Sequence, residues 1–291
     1  MNHTSPDGAP ALSGQDFFLQ LRGLRFHYVS WGQAGAPIVI CLHGLRSYAR
    51  TFEPLALTLA DKFNVIALDL RGRGQTDWDP DGNYYIDEYV ADLEHFVEAL
   101  GLPHFHLLGH SLGGIIAYVY SQRHAKRLQS LIIEDSGPNA SQRSAGASRI
   151  NAELRNTPAA FLDWPTAKAF WRSIRPNVTE GAIESRVANS LRQTDAGVSW
   201  IHDQAGIANC RLNPTRPDPD LWPCVKALSC PTLLLRGGNS DYLSRETLDE
   251  IVALNPAIDA REIPGAGHYI HDDQPDLFIA AVKPFLVGLA R

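Results

Sequence analysis

The sequence predicts an α/β fold: a mostly parallel sheet with helices on both faces, interrupted once by a helical insertion. Three observations carry this reading. Short apolar runs rich in β-branched residues alternate with longer segments of helical period. The runs IVICL (38–42) and FHLL (105–108) are almost continuously apolar, as central parallel strands buried on both faces must be. The alternation stops near Pro138 and resumes after Asp220, the signature of a segment set into a continuing fold.

The elements follow in order. FFLQL (17–21) and LRFHYVSW (24–31) read as an initial pair of strands, and IVICL is the third. A helix is expected from Thr51 to Ala60, then the strand NVIALDL (64–70). From Ile86 to Leu100, Tyr89, Leu93, Phe96, Val97 and Leu100 recur near the 3.6-residue period, and Gly101 ends the helix. FHLLG (105–109) is the next strand, a helix begins near Leu112, and LQSLIIE (128–134) is the sixth strand. From 138 to 220 no convincing strand is found. Helical stretches are expected around 148–156, 165–174 and 180–193, ahead of the Pro-rich turn NPTRPDPD (213–220). Then PTLLLRGG (231–238) reads as a strand, 245–254 as a helix opened by Ser244, IDAREIPG (258–265) as a strand and 274–290 as a last helix. The organisation is therefore an arm at 1–14, a core at 15–137 and 221–291, and a lid at 138–220.

Composition narrows the function. With 44% hydrophobic and 20% charged residues, the 291-residue chain is not a disordered one. Lys plus Arg number 26 against 32 Asp plus Glu, a net charge of −6 without a basic run, which argues against a nucleic-acid partner. No stretch of eighteen apolar residues suggests a membrane span, and the N-terminal residues do not read as a secretory signal. Cys41, Cys210, Cys224 and Cys230 form no CxxC pair and read as reduced thiols of a cytoplasmic protein. No cluster at zinc-ligand spacing appears, so neither a metal nor another cofactor is expected. The expected partner is a small-molecule substrate; a homo-oligomer stays open.

The sharpest local signal is Gly109-His110-Ser111-Leu112-Gly113, directly after an apolar strand and directly before a helix. A serine on such a turn is held in strained φ/ψ at a helix N-terminus, where unpaired N–H groups favour negative charge. A serine hydroxyl needs a base, and the base an orienting acid. Asp241, closing RGGNSD, and His268, in PGAGHYIHDD, each follow a strand and complete the chain order Ser111, Asp241, His268. Asp135, ending the strand IIED, is the rival acid, and His271 a rival base. Backbone N–H groups of Leu112 and of Leu45, in the loop His43-Gly44-Leu45, are placed to hold an oxyanion. His43 and His110 read as shaping residues or substrate contacts.

The strings CLHG (41–44), LDLRGRGQTD (68–77), LGHSLGG (108–114), TLLLRGGNSD (232–241) and GAGH (265–268) make the chain resemble the α/β-hydrolase superfamily from about Phe17 to Leu289. The resemblance is to its serine hydrolase, esterase-like members with a helical cap. It implies the α/β-hydrolase fold with an eight-stranded sheet, a Ser-His-Asp triad, an oxyanion hole and a cap inserted after the sixth strand. Members with an aspartate at the nucleophile position, the dehalogenases and epoxide hydrolases, are set aside by Ser111. The expected activity is cleavage of a carboxylic ester, lactone or amide; the alternative is carbon–carbon bond hydrolysis of a ring-cleavage product. Phe161, Trp164, Phe170, Trp171 and Trp200 are expected to line an apolar pocket or to form the cap's own core. RGRG (71–74) is a tight turn with Arg71 structurally paired, not a phosphate loop.

Overall fold

The computed structural model describes residues 13–289, so all but the last two residues of the expected arm lie outside it. The strands β1 (Gln15–Leu21) and β2 (Leu24–Trp31) form an antiparallel hairpin. Its two-residue turn, Arg22-Gly23, has positive φ at both positions (51° and 84°), the geometry that matches strand twist. β3 (Ile38–Leu42) leads through a 3₁₀ turn at Ala49–Phe52 to α1 (Glu53–Leu59), whose Pro54 sits in the first turn. There follow β4 (Asn64–Leu68), α2 (Ile86–Ala99), β5 (Phe105–His110), α3 (Leu112–His124) and β6 (Leu128–Glu134).

The chain then leaves the sheet. α4 (Ala140–Arg143) and α5 (Ala145–Asn156) come first, then β7 (Ala160–Phe161), α6 (Trp164–Ile174), α7 (Glu180–Ser190), β8 (Leu191–Thr194), β9 (Gly197–Trp200) and α8 (Gln204–Leu212). Ser144, Asp163, Thr179 and Asp203 cap four of these helices, each accepting a backbone N–H with its side-chain oxygen. The expectation of an insertion without strands is corrected: β7, β9 and β8 form a three-stranded antiparallel sheet. The helix expected over 180–193 stops at Ser190, and the chain turns back as a hairpin. Strands of two to four residues are too short to display a period, which is why the pattern hid them.

Beyond α9 (Trp222–Ala227), the fold resumes with β10 (Thr232–Gly237), α10 (Arg245–Leu254), β11 (Ile258–Ile263), the short α11 (Ile270–Asp273) and α12 (Pro275–Leu289). The main sheet has eight strands in the order β1-β2-β4-β3-β5-β6-β10-β11. β2 is antiparallel to β1 and β4; every other pairing is parallel.

The period-2 alternation of a strand sends successive apolar residues to opposite cores. Ile40, Leu42, Leu107, Leu131, Ile133 and Leu234 pack on the face covered by α2 and α3. Val39, Cys41, Leu108, Ile132, Leu233 and Leu235 pack on the face covered by α1 and α12. Burial of each such side chain contributes about 1.5–3 kcal/mol, which is why the central strands have no polar face. All four cysteines are free thiols. Among the described residues no helix is long and apolar enough to cross a membrane.

Candidate active site

Parallel strands end at one edge of the sheet, and the loops after β3, β5, β6, β10 and β11 meet there. Ser111 stands between β5 and α3 with φ 53° and ψ −112°, a strained conformation for a residue with a side chain. The turn closes only because its neighbours are glycines. A Cβ on Gly109 would lie 2.2 Å from the Gly113 carbonyl oxygen, and one on Gly113 would lie 2.1 Å from that of Leu42.

His268 stands 2.9 Å from the Ser111 hydroxyl through Nε2. Its Nδ1 lies 2.7 Å from Oδ2 of Asp135, not from Asp241. The expected acid is therefore corrected. Asp135 is fully buried at the end of β6, with φ 46°, and its carboxylate also accepts from the Gly237 N–H (3.0 Å) and the Ser240 hydroxyl (2.6 Å). Asp241 instead accepts a two-pronged pair from Arg149 at 2.7 and 2.9 Å, and its side chain is 36% exposed. Asp241 holds α5 of the insertion against the sheet. Both acids satisfy the chain order, so order alone could not choose between them. The available signal was that Asp135 closes an apolar strand, where a carboxylate is buried and must find donors.

Burial dominates the electrostatics of this pair. It pushes the His268 imidazole well below its ordinary pKa, with Arg149 and Arg175 adding in the same direction. It pushes the Asp135 carboxyl up, against the hydrogen bonds from Ser240 and Gly237. A neutral imidazole with a free lone pair toward Ser111 is the form a general base requires.

The other histidines shape the site. His110 is buried, and its Nε2–H donates to the His268 carbonyl oxygen at 2.9 Å, fixing the backbone that carries the base. His43 accepts from the Leu70 N–H through Nε2 (3.1 Å), so Nδ1 carries the hydrogen and donates to the Gly44 carbonyl (2.8 Å). Burial lowers its pKa to about 4. His43 braces the loop before Leu45. His271 is not a competing base: its Nδ1 lies 2.7 Å from Glu134, and its Nε2 lies 3.0 Å from the Thr51 hydroxyl. His110, Glu134 and His271 lie close enough together to share an ion, a grouping that residues so far apart in sequence could not reveal. Glu134 spends Oε1 on the His271 N–H groups of ring and backbone.

Leu45 and Leu112 border the same cavity of about 860 Å³ as Ser111. Ile150 and Ile207 of the insertion line it from above. Tyr242, which sequence reasoning missed, lines it too and packs its ring 4.2 Å from that of His268. The expected aromatic lining is corrected. Phe161, Phe170, Trp171 and Trp200 pack on one another, with centroids 5.3–6.1 Å apart, as the insertion's own core. Trp164 is exposed on the surface. Arg71 is paired as expected, to Asp92 at 2.6 Å and Asp79 at 2.5 Å.

The sequence profile of the Alpha/beta hydrolase family matches residues 39–281. The chain is 27% identical over 254 residues to 2-(acetamidomethylene)succinate hydrolase of Mesorhizobium japonicum, covering 87% of this chain and 89% of that protein. It is 29% identical over 269 residues to N-formylmaleamate deformylase of Pseudomonas putida, covering 91% and 93%. A solved α/β hydrolase from Novosphingobium aromaticivorans superposes with a TM-score of 0.79 at 26% identity, covering 94% of this chain and 98% of that one.

Proposed function

The chain belongs to the alpha/beta hydrolase family, and on that premise we propose that it is a serine hydrolase. It cleaves a carboxylic ester, or a neighbouring lactone or amide bond, of a small and largely apolar molecule. The observation that carries this is the chain of contacts Ser111–His268–Asp135, at 2.9 and 2.7 Å, opening onto the cavity. The two relatives above support hydrolysis as the reaction class.

His268 Nε2 takes the Ser111 proton as Oγ attacks the carbonyl carbon. The backbone N–H groups of Leu45 and Leu112 hold the oxyanion, and Asp135 steadies the imidazolium. The leaving group departs with the proton from His268, and the acyl chain stays on Ser111. Water, deprotonated by His268, then attacks the acyl-enzyme and releases the acid.

The test is labelling with a fluorophosphonate together with turnover of an activated ester. The wild-type chain takes the label on Ser111 and cleaves the ester, and Ser111→Ala does neither. A vinylogous diketone, offered in parallel, separates this reading from carbon–carbon bond cleavage. Turnover of the diketone with no turnover of esters or amides overturns the proposal.

A further inference from the structure

Arg71 and Arg73 lie two residues apart in one turn and end in opposite electrostatic states. Arg71 is matched by Asp92 and Asp79. Arg73 is fully buried, and its donors go to neutral oxygens: Nε to the Leu45 carbonyl at 3.1 Å, Nη1 to the Arg71 carbonyl at 2.8 Å and the Tyr89 hydroxyl at 2.5 Å. Its Nη2 has no partner among the described residues. The rings of Tyr84 and Tyr89 stand 5.3 and 5.1 Å from the guanidinium carbon. Cation–π contacts of this kind offset only part of the penalty for burying a cation without a counter-charge.

Among the described residues no carboxylate forms an ion pair with Arg73: Asp69 lies beyond His43, and Asp203 beyond the Tyr84 hydroxyl. His43 and His202 are buried beside the guanidinium, and both imidazoles are held below their ordinary pKa, first by burial and also by the charge of Arg73. The other arginines around the cavity all have acids: Arg123 has Glu94, Arg211 has Asp218, and Arg216 has Asp87 and Glu88. Arg73 lines the same cavity as Ser111. It also grips the carbonyl of Leu45, the residue whose N–H faces the reacting carbonyl in the mechanism above.

We propose that Arg73 is the anchor for a carboxylate carried on the acyl chain of the substrate. This rests on the acyl-transfer reading of Ser111 and narrows its substrate class to half-esters or half-amides of short dicarboxylic acids. The apolar lining from Ile150, Ile207 and Leu112 holds the hydrocarbon between the two ends. The carboxylate completes the hydrogen bonding of Nη2 and neutralises the guanidinium, a charge-assisted contact that a neutral acyl chain cannot make.

The experiment compares the mono-4-nitrophenyl ester of glutaric acid with 4-nitrophenyl hexanoate. It also titrates glutarate into Ser111→Ala by calorimetry. Wild type prefers the charged ester by about tenfold or more in kcat/KM, and the preference falls as salt is added. Arg73→Gln loses that preference, chiefly through KM, because the anchor acts on ground and transition state alike. Arg73→Lys keeps part of it, since the charge remains while the fork geometry is lost. Glutarate binds Ser111→Ala and fails to bind Ser111→Ala with Arg73→Gln. Turnover of the hexanoate with no preference for the charged ester overturns the anchor while leaving the hydrolase reading intact. An equal loss on both esters in Arg73→Gln also overturns it, leaving Arg73 as a brace for Leu45 alone. If neither ester is cleaved and glutarate still binds through Arg73, the ester reading of Ser111 fails and the placement of the carboxylate on an acyl chain falls with it, while Arg73 remains a carboxylate site.

Discussion

The main sheet and the inserted segment are held by different forces. The sheet buries apolar side chains on both faces, and its loops inherit their positions from strands that cannot shift without opening a core. The insertion has a small aromatic core of its own around Trp171 and Trp200. It meets the sheet partly through charged and polar pairs: Arg149 with Asp241, Arg186 with Asp272, and the Tyr48 hydroxyl with Ser185 at 2.9 Å. The Ser111–His268–Asp135 contacts therefore sit on the rigid part. The residues that close the cavity sit on a part whose seating depends on geometry-sensitive ion pairs. Arg46 shows the same division. It follows Leu45 on the sheet side, is buried, and lies over Phe170, Trp171 and Trp200 of the insertion at 5.4–5.9 Å.

The most severe way to break this comparison is to exchange the roles of the two acids. Asp135→Asn should lower kcat by about 10³–10⁴-fold, because the imidazole loses its orienting carboxylate. Asp241→Asn should change kcat by less than about tenfold while raising KM, since it loosens α5 rather than the base. Steady-state kinetics of both variants on one activated ester decides, and a larger kcat loss in Asp241→Asn would show that the acid had been misassigned.

Stability distinguishes the two regions next. Trp171→Ala should destabilise the insertion by about 3–5 kcal/mol, the usual consequence of deleting a fully buried aromatic. Trp164→Ala, on an exposed side chain, should stay within about 0.5 kcal/mol. Thermal melts followed by tryptophan fluorescence and by activity would report each. A Trp164 effect as large as that of Trp171 would contradict the assignment of core and surface.

The pH profile is the gentlest probe. Burial lowers the pKa of His268, so its base form persists on acidification. The acid limb of kcat/KM should therefore fall below about pH 6.5, the ordinary value for an exposed imidazole. A limb at or above that value would mean that the site hydrates or opens before catalysis.

Much of the core was legible in the sequence because its rules are local. The near-continuous apolar run of β3 and β5 announces strands with two buried faces. The 3.6-residue spacing of Tyr89, Leu93, Phe96 and Val97 announces α2, and all four side chains are buried. Ser244 was read as a helix opener and does cap α10, accepting from the Thr247 N–H. The insertion was read less well because its strands are short and its aromatics fit two patterns equally. A tryptophan facing a pocket and a tryptophan facing its own helix partners look alike in one dimension.

What the sequence determined by itself was the alternation of strand and helix and the strained serine between two obligatory glycines. Each depends on neighbours within a few residues, where propensity and sterics act directly. Only the tertiary structure decided which carboxylate reaches His268, which side chains line the cavity, and that Arg73 has no ion-pair partner among the described residues while Arg71 has three. Those outcomes depend on which loops converge at the sheet edge, and burial then turns convergence into chemistry. Asp135 is buried against His268, and Asp241 is claimed by Arg149.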